Sequence, residues 1–253
     1  MNCALIYDPG NGDGTLGGAE LTMMELEATA PEGVTITDLK DAETVIFGNC
    51  VLTTQDILPG LMDKRVLRFH HDLARDEDPV VRNWLEANAE HIFTSPLHRE
   101  KYGLDGELIP PSIGLEAFRP NRQTRRHQKR EGVVTVGSWQ SPGKGGHLIT
   151  EQAERSDVTI DCYGPGNFAP RGPRINDCGP VDHSQLPALL HKYEQFVFLP
   201  LAIEPFGRCV AEAYASGCEV LTNDNVGASY WIENEPDKLY SASQDFWALV
   251  SNA

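Results

Sequence analysis

A chain of 253 residues with 40% hydrophobic content has enough material for one large domain or two of ordinary size. Its formal charge is -16, and it is uneven: the first 120 residues hold 21 Asp and Glu against 9 Lys and Arg. That acidic half repels nucleic acid and anionic membranes at long range, no run of about 18 apolar residues exists to span a bilayer, and the N-terminus MNCALIYDPG reads as a first strand, not a secretory leader.

Ala4–Tyr7 is the first strand-like run, and a loop rich in Gly and Asp leads from it to a helix starting at about Ala19. Thr35–Thr37, Thr44–Phe47 and Arg65–Phe69 are further strand candidates. Val80–Ala89 has a helical pattern, Ile92–Thr94 reads as a strand, Pro96–Lys101 as a short helix and Glu107–Ile109 as a strand. The alternation predicts a parallel sheet covered by helices. Pro110, Pro111 and Pro120 then break regular structure, and Arg122, Arg125, Arg126, Lys129 and Arg130 form a basic run too polar for a core. The alternation resumes with strands Val133–Gly137 and Val158–Tyr163 and helices Gly146–Arg155 and Ser184–Tyr193. The expectation is an α/β chain of two Rossmann-like domains facing each other across a cleft, residues 1–118 and 132–253, joined by a basic linker at 119–131.

The stretch from Phe196 to Trp231 is the richest in chemistry. Phe196–Leu201 predicts a buried strand, followed by a loop with Glu204, Pro205, Phe206 and Gly207. A helix from about Arg208 to Ser216 carries Glu212, Gly217 ends it, and Glu219–Thr222 starts another strand. Free N–H groups at that helix start can meet an anion, and the two carboxylates can accept hydroxyl hydrogen bonds, a combination suited to a sugar nucleotide. Lys144, flanked by Gly143, Gly145 and Gly146, is a candidate point charge for a diphosphate. The six cysteines show no ligand spacing and read as thiols in a reducing cytoplasm. Asp76-Glu77-Asp78 has a D-x-D shape, but it precedes a helix, where acids favour the positive end of the dipole.

These residues together carry a resemblance. Glu204-Pro-Phe-Gly-x-x-x-x-Glu212 is similar to the E-x7-E motif of retaining GT-B glycosyltransferases of the group 1, family 4 type. Gly17-Gly18-Ala19-Glu20, Phe69-His70-His71-Asp72, Ile92–Ser95, Val136-Gly137 with Lys144-Gly145, Tyr163–Gly166 and Gly179-Pro180-Val181 resemble further landmarks of that family in the same order. The resemblance implies that Glu204 contacts the donor sugar and Glu212 the nucleotide ribose. It places Gly17, Gly18, Ser138, Lys144, Phe206, Gly207 and Arg208 at the donor, and His71, the histidine directly before Asp72, at the sugar. It implies no metal and no cofactor. The substrate is a nucleoside-diphosphate sugar, with UDP-glucose the commonest choice in the family. The family usually has an Arg where this chain has Ser138, and Arg208 is a candidate substitute.

The acceptor has no diagnostic motif. Only Gln244–Val250 reads as a C-terminal helix, and so trimmed a scaffold resembles viral or mobile-element enzymes. A hydroxymethylated DNA base is therefore an alternative acceptor, with the basic segment Arg122–Arg130 as its backbone contact. A non-catalytic sugar-nucleotide-binding module and a sugar-nucleotide epimerase also fit these residues.

Overall fold

The computed structural model describes residues 1–8, 17–49, 52–73, 77–121 and 129–252. They divide into two units, Met1–Ile113 with Glu235–Ala253, and Gly114–Asn234. The basic residues Arg122, Arg125 and Arg126 lie outside the described residues.

In the first unit β1 (Asn2–Ile6), β2 (Thr35–Ile36), β3 (Thr44–Phe47), β4 (Arg65–His70), β5 (Glu90–Phe93) and β6 (Glu107–Leu108) form one parallel sheet in the order β2-β1-β3-β4-β5-β6. Its strands read as continuous apolar runs because both faces are covered. Cys3, Ile46, Leu67 and Phe69 pack on Met23 and Leu26 of α1 (Gly18–Ala28). The alternate residues Ala4, Val45, Phe47 and Val66 pack on Val81 and Leu85 of α2 (Pro79–Asn88). The strand order reverses between β1 and β3, where ligands of open parallel sheets bind.

Local chemistry fixes the helix starts on the far side of this sheet. The Asp78 carboxylate accepts from the N–H groups of Val80 and Val81 at 2.8 and 3.3 Å, and Pro79 takes the first helical position. Glu77 pairs with Arg68 in the interior. The second and third acids of the D-x-D triplet are thus used within the fold, and Asp76 lies outside the described residues. Ser95 caps α3 (Pro96–Tyr102) by accepting from the His98 N–H at 3.1 Å. His98 is fully buried, donates from Nε2 to the Asp72 carbonyl at 3.1 Å and meets the Thr94 hydroxyl through Nδ1 at 2.9 Å. Burial pushes its pKa down to about 4. His70 is also buried, stacked on Phe93 at 4.5 Å and bonded to His91 at 3.0 Å. Burial first, and the Arg68 charge next, hold His70 neutral far below the ordinary histidine range.

The second unit holds a parallel sheet of β7 (Val133–Val136), β8 (Ile160–Tyr163), β9 (Ile175–Gly179), β10 (Gln195–Phe198) and β11 (Glu219–Thr222), in the order β11-β10-β7-β8-β9. Here the order reverses between β7 and β10. The helices are α4 (Gly146–Ser156), α5 (Leu186–Leu190), α6 (Arg208–Ala215) and α7 (Ala228–Asn234). Leu115–Phe118 is a short 3-10 turn of this unit, beyond the expected start at 132: Phe118 is buried against the His183 ring, and its carbonyl accepts from His191 at 2.8 Å.

The C-terminal helix α8 (Lys238–Ser251) departs from expectation twice. It is longer than Gln244–Val250, and it groups with the first unit, not with 132–234. The reason is its apolar face. Phe246 stacks on Phe69 at 5.4 Å, and Trp247 donates to the Leu26 carbonyl at 3.2 Å. Arg65 donates to the carbonyls of Val250 and Leu249 at 2.6 and 3.4 Å, satisfying groups that a helix end leaves open, while Glu90 accepts from the same guanidinium at 2.7 Å. Among the described residues no helix is long and apolar enough to cross a membrane.

Two outcomes test this description. Phe246→Ala, which empties a fully buried ring site, costs about 3–5 kcal/mol of stability in urea unfolding; a loss below about 1 kcal/mol would show that α8 is not part of the first core. For His98 the folded pKa lies below the unfolded one, so between pH 6.5 and about 4 the unfolded chain binds the extra proton. Stability from this group is fully present above pH 6.5 and falls as pH drops toward 4, by up to about 3 kcal/mol. Unfolding at pH 7 and pH 4.5 is expected to separate wild type from His98→Gln, the variant losing less; equal losses would refute a buried neutral His98.

Candidate functional site

In the second unit Lys144, Glu204, Phe206, Gly207, Arg208 and Glu212 gather at the reversal of strand order between β7 and β10. Two loops leave the carboxyl ends of these strands and are laced together by backbone. The carbonyl of Gly143 accepts from the N–H groups of Leu201 and Ala202 at 2.8 and 2.9 Å. Gly145 has φ +73°, and a Cβ there would lie 1.9 Å from the Leu199 carbonyl oxygen, so only glycine lets the loops meet. The loop after β10 is held from its other side as well. Asn223 and Asn225 donate to the Pro200 carbonyl at 2.9 and 3.0 Å, and Glu204 forms a parallel bridge with Val226.

This lacing sets the side chains. Lys144 Nζ lies 2.5 Å from Glu204 Oε1, with the two side chains 32% and 18% exposed. The pair is therefore within reach of a ligand. Phe206 is buried and anchors the loop, its carbonyl accepting from Ala228 at 2.7 Å. Gly207 precedes α6 at φ +89°, and as a glycine it has no side chain to cap the helix. The first N–H groups of α6 thus stay open to an anion.

Glu212 is 2% exposed and fixed through one oxygen. Oε1 meets His183 Nε2 at 2.9 Å and Arg208 Nε at 3.3 Å. Oε2 accepts from no described residue, which leaves it for hydroxyl donors. His183 was not singled out by sequence reasoning; its one signal is its place four residues after Gly179, in a turn before α5. Along the same helix, desolvation and then the carboxylates of Glu212 and Glu204 push the Cys209 thiol up to about 12, so it stays protonated and is no nucleophile. Ser138 is exposed at the end of β7, beside the fully buried Trp139, whose indole donates to the Tyr163 carbonyl at 3.1 Å.

Three predicted residues belong to the first unit. Gly17 precedes α1 and Gly18 opens it, again without a side-chain cap. Of the two adjacent histidines only His71 reaches the surface, half-buried with its ring 4.5 Å from Phe69. The Asn49 amide holds Asp72 at 2.8 Å.

One expectation is corrected. Arg130 is not open to a nucleic-acid backbone. Its guanidinium donates to the carbonyls of His191 at 3.0 Å, Leu190 at 3.2 Å, Ser216 at 2.5 Å and Gly217, closing the ends of α5 and α6. Lys129 is exposed and lies 2.9 Å from Glu131.

No protein-family model matches the sequence, and neither does any curated protein. Solved structures do match. The Anabaena protein Alr3699/HepE, in complex with UDP and glucose, is 15% identical with a TM-score of 0.62, covering 98% of this chain and 94% of that one. AviGT4, a glycosyltransferase involved in avilamycin A biosynthesis, is 16% identical with a TM-score of 0.70, covering 98% and 88%. An α-glucosyltransferase in complex with UDP and a 13-mer DNA containing an HMU base is 13% identical with a TM-score of 0.54, covering 100% and 91%. At such identities the likeness is one of fold: two parallel α/β units, the GT-B fold of these glycosyltransferases.

Proposed function

We propose that this protein is a retaining glycosyltransferase that moves a sugar from a nucleoside diphosphate to an acceptor hydroxyl. The observation that carries this reading is the Lys144–Glu204 pair beside the uncapped start of α6, with Glu212 held on the same helix. An ammonium and open N–H groups suit a diphosphate; carboxylates with open oxygens suit sugar and ribose hydroxyls. HepE, of the same fold, is described with UDP and glucose, which makes UDP-glucose the first donor to test.

In this reading the donor exchanges partners with the resting ion pair. A phosphate oxygen replaces Glu204 on Lys144, and sugar hydroxyls replace Lys144 on Glu204. The open oxygen of Glu212 takes the ribose. The bond from the anomeric carbon to the β-phosphate oxygen breaks while a bond to the acceptor oxygen forms on the same face. The acceptor proton passes to the departing phosphate, so no separate base is needed. Lys144 and the α6 N–H groups stabilise the charge that grows on the leaving group. The cations are side chains, so transfer needs no resident metal. The described thiols are all free, which fits work in a reducing cytoplasm.

A DNA acceptor is the second reading. The α-glucosyltransferase bound to DNA with an HMU base favours it; the charge of -16 and the structural role of Arg130 weigh against it. A binding module without turnover and an epimerase are separated from transfer by products.

Purified protein with UDP-glucose is expected to release UDP and glucose slowly, and faster UDP release with a true acceptor. EDTA leaves the rate unchanged. Lys144→Ala and Glu204→Ala each lower kcat/KM by about 10²–10³-fold. If UDP-, GDP- and ADP-sugars all pass through intact, the transferase reading fails; release of an altered sugar nucleotide assigns an epimerase. Incubation with hydroxymethylated DNA followed by mass spectrometry decides the second reading.

A further inference from the structure

We propose that His183 is a positioning residue for recognition of the nucleotide ribose: it holds Glu212 so that one carboxylate oxygen stays free for hydroxyls; this rests on the donor-site reading above. Glu212 is buried, and a buried carboxylate needs hydrogen-bond donors. It has two, and both meet the same atom. His183 Nε2 lies 2.9 Å and Arg208 Nε 3.3 Å from Oε1. Were burial the only demand, the second donor would stand at Oε2, where none of the described residues donates. Arg208 sits four residues before Glu212 on the same helix, so its bond orders the carboxylate only relative to α6. His183 orders it relative to the rest of the unit. It comes from a separate element, the turn His183–Gln185 before α5, and it is the closer donor. Its ring rests on Phe118, with 5.8 Å between centroids, and the Phe118 carbonyl is held in turn by His191 at 2.8 Å. The imidazole is thus braced from behind. Core packing does not account for its place, because the side chain is 47% exposed and Nδ1 meets no described partner. A carboxylate only accepts, so Nε2 carries the hydrogen whether the ring is neutral or charged, and the brace works in both states. A glutamate side chain fixed beforehand loses little further freedom when a ligand arrives. The benefit falls on the ligand groups that donate to Oε2, the ribose hydroxyls; phosphate oxygens are acceptors and gain nothing from it.

The probes are UDP and its 2′,3′-dideoxy analogue, which differ only in the ribose hydroxyls. Calorimetry or ligand-observed NMR is run on wild type, His183→Phe and His183→Gln, each checked for an unchanged melting profile. His183→Phe keeps a ring against Phe118 but has no hydrogen to donate, and His183→Gln restores an N–H at similar reach; where His183→Phe melts lower, His183→Ala takes its place. Wild type is expected to bind UDP roughly tenfold tighter than the analogue. In His183→Phe that preference falls below about threefold, through weaker UDP binding with the analogue unchanged, and His183→Gln recovers part of it. Equal weakening of both probes would show that His183 supports the site without reading ribose and overturn the proposal. So would UDP affinity that does not change, or a wild type that binds both probes alike. Wild type binding none of UDP, GDP and ADP removes the donor-site reading itself, a different result from these.

Discussion

The site of the second unit depends on a backbone contact. Two loops from neighbouring strands touch so closely that one residue can have no side chain: Gly145 lies against the Leu199 carbonyl, and Gly143 accepts two N–H groups from the facing loop. Each loop alone would be a surface connection with many conformations. Laced together, they bring Lys144 to Glu204 across 60 residues of sequence and present the start of α6 beside them. The sheet supplies the reason for the location. Parallel strands whose order reverses send adjacent loops in opposite directions, and the space between them opens at the carboxyl ends.

Polar side chains then do what the backbone leaves undone. Asn223 and Asn225 tie the loop of Glu204 from the β11 side, and Phe206 anchors it to α7. Arg130 does the same for the opposite ends of α5 and α6, collecting carbonyls that would otherwise face solvent. The basic run in the sequence is therefore not one feature. Its last member is part of the scaffold that holds α6, and so holds Glu212. In the first unit Arg65 repeats this use of a guanidinium, closing α8 while pairing with Glu90.

The sequence made legible whatever rests on burial and on local turn chemistry. Thr44–Phe47 and Glu219–Thr222 stand where their apolar, β-branched runs predict, and Gly217 ends α6 in the left-handed region. Strand β9 was not legible: Ile175–Gly179 is a mostly exposed edge with polar Asn176 and Asp177, so no apolar period marks it. Nor was the extent of α8. Its buried positions Leu239, Ala242, Phe246, Trp247 and Val250 are helical in spacing, but their partners lie in the first unit, more than 200 residues earlier in one case. His183 was illegible for a related reason. A histidine in a polar turn gains its meaning from Glu212, which approaches it only in three dimensions. His70 and His71 show the opposite case, where the alternation at the end of β4 stacks one ring on Phe93 and turns the other, half-buried, to the opposite face beside Phe69.

Several departures from local preference meet around the start of α6. Gly145 and Gly207 both adopt left-handed backbone, α6 starts without a side-chain cap, a cation takes its first position, and among the described residues the Nη1 of that cation meets no partner. Any one of these occurs in ordinary folds. A chain shaped by stability alone would place Ser or Asp before α6 and an acid in its first turn; in the first unit Asp78 caps α2 in this way. Side chains cap α2 and α3, whereas α1, α4, α6 and α8 start without a capping bond from the residue before them. A side-chain cap would also fill the positions where an anion meets the helix, so the open start of α6 beside the Lys144–Glu204 pair leaves room for negative charge that the polypeptide does not provide.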